Sequence, residues 1–258
     1  MCPSLFLASK PLINPHNPID TLRRCRGLYE CPKNESGGRL GPLVAYAGEY
    51  DLPDGSKKHW VGEIYYNVAK IEEVMYVLDH FADLICFRLN QMGYKQPVFD
   101  CVLGAPMGGI LLTGALGRIL EEMRSNFRVA YAEKKVVEPE KDDHREKSIM
   151  VIDRHPIRPS KRIAIVEDVC NNISTPGKLL PLITAAEAEL VAIFCAFNRS
   201  GVTDWNGIPI ISACEVPTPQ YQQDDPYVAV DIAAGNILWK PKDHWGELEK
   251  FIPSYSPA

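Results

Sequence analysis

Between Ile71 and Gln91, apolar residues recur at three- and four-residue spacing. Ile71, Val74, Met75, Leu78, Phe81, Leu84, Ile85 and Phe87 form one stripe, which predicts an amphipathic helix stopped by Gly93. Ahead of it, Asn17 is a capping residue, Pro18 suits a first helical position and Asp20 a first turn, so a short helix is expected through about Glu30. The following "CPKNESGGRLGPLVAYAGEYDLPDG" is rich in glycine and proline and ends in strand-like aromatics, which predicts a loop with a hairpin. After Gly93 the pattern alternates. "VFDCVLG" reads as a strand, "GGILLTGALGRILEEMR" as a helix, "FRVAYAEK" and "KRIAIVED" as strands, "TPGKLLPLITAAEA" as a helix, and "ELVAIFCAFNRS" and "IPIISACE" as strands. Short continuous apolar runs separated by helices signal a parallel sheet covered on both faces, so the expected class is α/β. "HWGELEKF" predicts a short closing helix.

Composition narrows the picture. The chain has 258 residues, 46% apolar and 24% charged, with a formal net charge of −5. That balance is ordinary globular material, and its basic residues are scattered among acids, which argues against a nucleic-acid surface. A local site for a small acidic or phosphorylated ligand stays open. No apolar run reaches the roughly 18 to 20 residues of a membrane span, and "MCPSLFLASK" lacks the features of a signal peptide. A cytoplasmic protein is expected, with its eight cysteines reduced. Cys25 and Cys31 with His16 lack the second pair that a structural zinc site needs.

Two strand ends attract attention, because ligands of an open parallel sheet bind beyond the carboxyl ends of the strands. After Leu103 comes Gly104-Ala105-Pro106-Met107-Gly108-Gly109, a tight turn into a helix, where backbone amides and the helix dipole favour an anion. After "RIAIV" come Glu167 and Asp168, whose burial has to be offset by partners. Vicinal ribose hydroxyls and a hydrated magnesium ion are suitable ones. A salt-bridged or capping acid pair is the plainer reading of the same residues.

The order of glycine turn, "VAYAEKK", long charged loop, "KRIAIVEDV" and "CAFNRS" resembles the type I phosphoribosyltransferases, the orotate enzymes most of all, over roughly residues 35 to 215. The resemblance implies a phosphoribosyltransferase-like parallel sheet flanked by helices, with an N-terminal hood over residues 1–62, a core over 63–216 and a C-terminal extension over 217–258 packing on core or hood. It implies magnesium-dependent transfer from phosphoribosyl pyrophosphate to a nucleobase, orotate first, as in pyrimidine biosynthesis. By the same resemblance, Glu167 and Asp168 hold the ribose and the metal, and Asn171, Asn172, Ser174 and Thr175 grip the 5′-phosphate. Met107, Gly108 and Gly109 face the pyrophosphate together with Lys134 and Lys135, while Gly38, Arg39 and Arg199 face the base. A homodimer is also implied.

The motif departs from the family in two places. Where a phosphate loop has threonines and glycines, this chain has Asn171, Asn172 and Ile173. Asparagine tolerates left-handed backbone, so the two asparagines are expected to take over glycine's role, while β-branched Ile173 disfavours positive φ. Glu133 replaces an expected arginine beside Lys134, leaving Lys141, His144, Arg145 and Lys147 as loop cations. A non-catalytic ligand sensor, or a transferase for a purine or other base, are the alternatives. Trp60, Tyr65, Tyr66, Trp239 and Trp245 are expected in cores or contacts rather than on a ligand, and Asp224, Asp225 and Asp231 in a solvated loop before a short helix.

Overall fold

The computed structural model describes residues 11–94, 98–138 and 147–254. The chain divides into two compact units: one built from both ends, up to Glu73 and from Pro217 onward, the other from Val74–Val216.

The first unit opens with α1 (Pro18–Arg24), in which the Asn17 side chain accepts the Asp20 amide at 3.2 Å as the pattern predicts. The helix stops well short of Glu30. Arg26 turns left-handed at φ 58° and the Gly27 amide donates back to the Leu22 carbonyl at 2.9 Å, a common helix stop. The chain continues through β1 (Leu28–Glu30), β2 (Leu43–Asp51), β3 (Lys57–Gly62), β4 (Ile64–Tyr66) and α2 (Ala69–Glu72). β2 and β3 form the expected hairpin. β1 is recruited by an antiparallel ladder with β4, a distant pairing that overrides the local helical signal.

The second unit begins with α3 (Met75–Gln91), separated from α2 by Val74 in an extended conformation, so the single predicted helix is two. Gly93 at φ 87° ends it as expected. Then follow β5 (Cys101–Gly104), α4 (Gly109–Met123), β6 (Arg128–Tyr131), β7 (Glu133–Glu138), β8 (Lys147–Val151), β9 (Arg162–Cys170), α5 (Ser174–Ala185), β10 (Glu189–Asn198), β11 (Asp204–Trp205) and β12 (Ile208–Glu215). The six-stranded sheet has the order β11-β12-β10-β9-β5-β6. Every ladder from β6 to β12 is parallel, and β11 alone runs antiparallel at the edge. The class is α/β, with the parallel sheet that the pattern predicts. The predicted strand "FRVAYAEK" breaks at Ala132, whose amide goes to the Gly104 carbonyl at 2.9 Å. Its second half leaves the sheet as β7, which pairs with β8 in a separate hairpin carrying Lys134 and Lys135.

Both faces of this sheet are apolar. Leu103, Ile163, Ile165, Leu179 and Ile183 form a core on one side. Among the aromatics, Phe81 meets Phe197 at 5.1 Å and Phe99 meets Phe194 at 5.2 Å. Each such side chain contributes roughly 1.5–3 kcal/mol when fully buried, which is why these strands carry no polar alternation.

The chain's last part completes the first unit with α6 (Ala229–Ala233), β13 (Ile237–Leu238) and α7 (Trp245–Glu249). β13 runs parallel to β2, and Trp245 and Leu248 pack with Tyr29, Val44 and Tyr46. Tyr65 meets Trp245 at 6.1 Å and Tyr50 meets Trp60 at 4.9 Å, so these aromatics are core, whereas Trp239 is exposed. No helix among the described residues is long and apolar enough to cross a membrane.

Candidate functional site

Strand order locates the site. From β5 the chain crosses through α4 to β6 on one side, while β9 lies on the other side of β5, with β10 and β12 beyond it. The connection therefore reverses direction between β5 and β9, and such a switch point leaves a crevice outside the carboxyl ends of those two strands. The two loops singled out in the sequence follow these two strands.

The structure presses the loops together. A Cβ on Gly108 would lie 2.1 Å from Asp168 Oδ2, and one on Gly109 would lie 2.1 Å from the Val166 carbonyl oxygen. The turn is pinned by the Ala105 amide on that same carbonyl at 2.9 Å, and the Gly109 amide closes onto Ala105 at 3.0 Å. Gly109 thus supplies fit rather than a free N–H. Among the described residues, the Met107 and Gly108 amides have no backbone acceptor, and the Met107 side chain is exposed. They are the donors the turn offers to an anion.

Glu167 is buried at the strand end. Burial and the neighbouring Asp168 charge push its carboxyl up to about 8, opposed by a hydrogen bond from the Thr175 side chain. Asp168 is half-buried, and its Oδ1 accepts the Val169 amide at 2.8 Å. Glu167 and Asp168 are neighbouring acids at this strand end, and among the described residues no group of three metal-ligating side chains forms.

The loop after β9 differs from expectation in one respect. Neither asparagine is left-handed; Ile173 is, at φ 55° and ψ 24°, as the residue capping α5. Its side chain is partly buried against Cys170, Ile193, Cys195 and Ile210, so apolar contact offsets the backbone strain. At the helix start, the Ser174 amide donates to Asn172 Oδ1 at 3.3 Å, and Pro176 has no N–H. Ser174 and Thr175 still bring hydroxyls there. The Arg199 amide donates to the Cys170 carbonyl at 2.7 Å, tying the end of β10 to this loop, and the Arg199 side chain is buried.

The predicted cations are spread out. Lys135 Nζ meets Asp153 Oδ2 across the hairpin, and Glu133 lies 3.6 Å from Arg154 Nε, so the acid at the arginine position is itself paired. Lys134 is exposed on β7. Lys141, His144 and Arg145 lie outside the described residues, as does the Lys147 side chain.

Gly38 and Arg39 belong to the first unit, and both are engaged there. The Ser36 and Gly38 amides donate to Asn34 Oδ1 at 3.1 and 2.7 Å. The buried Arg39 guanidinium donates to Glu63 at 2.7 Å, Asp231 at 2.6 Å and the Tyr227 carbonyl at 2.9 Å, and lies 4.4 Å from the Tyr227 ring centroid. Burial works to raise the Glu63 carboxyl, but hydrogen bonds from Lys33 and Arg39 outweigh it and hold the group below its ordinary value. Asp231, placed by sequence in a solvated loop, is the missed member; only its distant partners reveal it. The cysteines of the described residues are free thiols, and the Cys31 thiol donates to the Gly41 carbonyl at 3.1 Å.

The fold is thus an open α/β sheet with a glycine turn and an acid pair at its switch point. The chain is similar in sequence to orotate phosphoribosyltransferases. It is 25% identical over 152 residues to the enzyme of Thermotoga petrophila, covering 58% of this chain and 72% of that one. Among solved structures, the adenine phosphoribosyltransferase of Thermoanaerobacter pseudethanolicus aligns over 65% of this chain and 95% of its own, at 16% identity and a TM-score of 0.47. The orotate phosphoribosyltransferase of Aeropyrum pernix aligns over 67% and 88%, at 16% identity and a TM-score of 0.45. No family model matches the chain.

Proposed function

We propose that this protein transfers a phosphoribosyl group from phosphoribosyl pyrophosphate to a ring nitrogen of a nucleobase, orotate being the favoured acceptor. The observation that supports this most is the close approach of Gly108 and Asp168, which brings the glycine turn and the acid pair together at one crevice. In this reading the Met107 and Gly108 amides receive the pyrophosphate, Asp168 and Glu167 accept from the ribose hydroxyls, and the Ser174 and Thr175 hydroxyls meet the 5′-phosphate. The carbon–oxygen bond to pyrophosphate breaks and a carbon–nitrogen bond forms on the opposite face. Positioning and charge neutralisation do most of the work. Lys134 adds positive charge on the leaving-group side.

Magnesium fits the acid pair, with Asp168 as carboxylate and Glu167 as a second one once its proton is displaced, since the ion takes one or two carboxylates and completes its shell with water and substrate oxygens; bound, it would neutralise pyrophosphate charge. Orotate is supported by the names of the sequence relatives. Arg39 is already committed to two carboxylates, so the base carboxylate is read by other donors. A homodimer is part of the same reading and is checked by light scattering.

Incubated with donor, magnesium and orotate, the protein should release pyrophosphate; no turnover with orotate or a panel of purines and pyrimidines removes the enzymatic reading. The second reading, a sensor that binds the donor intact, is favoured by the crowded start of α5 and by the Lys135–Asp153 pair. Calorimetry followed by recovery of unchanged donor separates the two.

A further inference from the structure

At the other end of the same strands lies a feature that the transferase reading leaves unused. An open cavity of about 650 Å³ is lined where β5, β6 and β9 begin and by the loop running from β8 into β9. Its charged lining is Arg124, Arg128, Arg154, Arg158 and Lys161 against the single acid Asp100. In a chain of net charge −5, this concentrates positive charge at one place, contrary to the scattered distribution that the sequence suggests.

The cations are not all spent on neighbours. Arg124 binds Asp100 at 2.7 Å, and Arg154 sits beside Glu133 and donates to the Tyr131 hydroxyl at 3.0 Å. Arg128, Arg158 and Lys161 make no ion pair among the described residues, and all three are exposed on the cavity's lining. Asp100 answers Arg124 and feels the Lys161 charge, but one acid does not balance five cations, so the arrangement costs stability unless an anion joins it.

The rest of the wall is not cationic. His155 is half-buried with its ring edge-on to Tyr131 at 4.8 Å, and Pro156, Ile157 and Val129 line the cavity beside it. A flat, partly apolar wall beside a cationic rim, in a volume within the usual range for small-molecule pockets, suits a ligand with a planar ring and several phosphates. We propose that this cavity binds a nucleoside polyphosphate, its phosphates on Arg128, Arg158 and Lys161 and its ring against His155, Pro156 and Ile157. The site uses none of the residues assigned to the transfer. Arg128, Lys161 and Cys101 place its cationic part at the amino ends of β6, β9 and β5, roughly 13 Å along β5 from the crevice, while His155 stands beside Tyr131 at the carboxyl end of β6.

The test is calorimetric titration of the full chain with ATP in the presence of a chelator, alongside inorganic tripolyphosphate, adenosine and a short RNA. ATP should bind more tightly than either tripolyphosphate or adenosine. The triple variant Arg128→Gln, Arg158→Gln, Lys161→Gln should lose at least about tenfold in affinity, since charge-assisted bonds are being removed. As these side chains are exposed, its Tm should stay unchanged or rise, which distinguishes lost binding from lost folding. Asp168→Asn, which disables the crevice, should leave ATP affinity as it was. Tripolyphosphate binding as well as ATP, binding that survives the triple variant but is lost in Asp168→Asn, or RNA that displaces ATP at lower concentration would each overturn the proposal.

Discussion

The loops after β5 and β9 face the same crevice and satisfy their backbones by opposite means. The first relies on what glycine lacks: a Cβ at Gly108 or Gly109 would collide with Asp168 or with the Val166 carbonyl. The second places a branched residue, Ile173, in the left-handed region and holds it there by burying the side chain. Absence of a side chain is thus required where two backbones approach each other, whereas a strained φ can be tolerated wherever a core lies within reach. A glycine in a motif can therefore serve two separate needs, and only one of them excludes every other residue.

The comparison can be broken at its rigid side first. Gly109→Ala forces a methyl group into a main-chain carbonyl that cannot swing away, and should cost about 3 kcal/mol or more of stability, read as a lowered denaturation midpoint. Gly108→Ala meets a side chain instead; it should displace Asp168 and impair donor binding more than folding. Next in size, Asp168→Asn should weaken donor affinity by about tenfold to a hundredfold, the range for a lost hydrogen bond to a charged group, with Tm little changed. The third effect concerns Glu167. The folded chain keeps its proton up to about pH 8, whereas an unfolded glutamate releases it near 4.5. The folded state thus binds more protons within that window, and stability should fall as pH rises through it. Glu167→Gln should flatten that decline in a series of thermal melts; an equal slope in both proteins would refute the assignment. The smallest change is expected at the tolerant side. Ile173→Gly relieves about 1–2 kcal/mol of left-handed strain but gives up a similar amount of apolar burial, so stability should move by less than about 1 kcal/mol. A donor affinity that rises in this variant would show that the isoleucine obstructs the phosphate.

Much of the sheet was legible because its signals are local. "RIAIVEDVC" and "ELVAIFCAFN" are continuous apolar runs and became β9 and β10 with nearly the expected bounds. Helices α4 and α5 were legible as the segments alternating with such runs, and the glycine turn and acid pair from their positions at strand ends. What escaped depends on partners far away in sequence. Residues 28–30 looked helical until β4 claimed them. Intrinsic preference points to asparagine for the left-handed residue, whereas tertiary burial selects Ile173. The pairing of Arg39 is invisible locally, because Glu63 and Asp231, its acids, stand 24 and 192 positions away.

The pairing of β13 with β2 has a consequence for how the chain is made. Leu43 and Val44 acquire their parallel partners Ile237 and Leu238 only once a much later stretch of the chain has been made, and Arg26 and Arg39 wait in the same way for Glu249 and Asp231. The middle unit, whose ladders join segments between residues 101 and 215, has all its strands available earlier. During synthesis β2 is thus made well before its pairing is complete, and a nascent chain stalled before Ile237 would present that β2 edge unpaired to chaperones and to other chains.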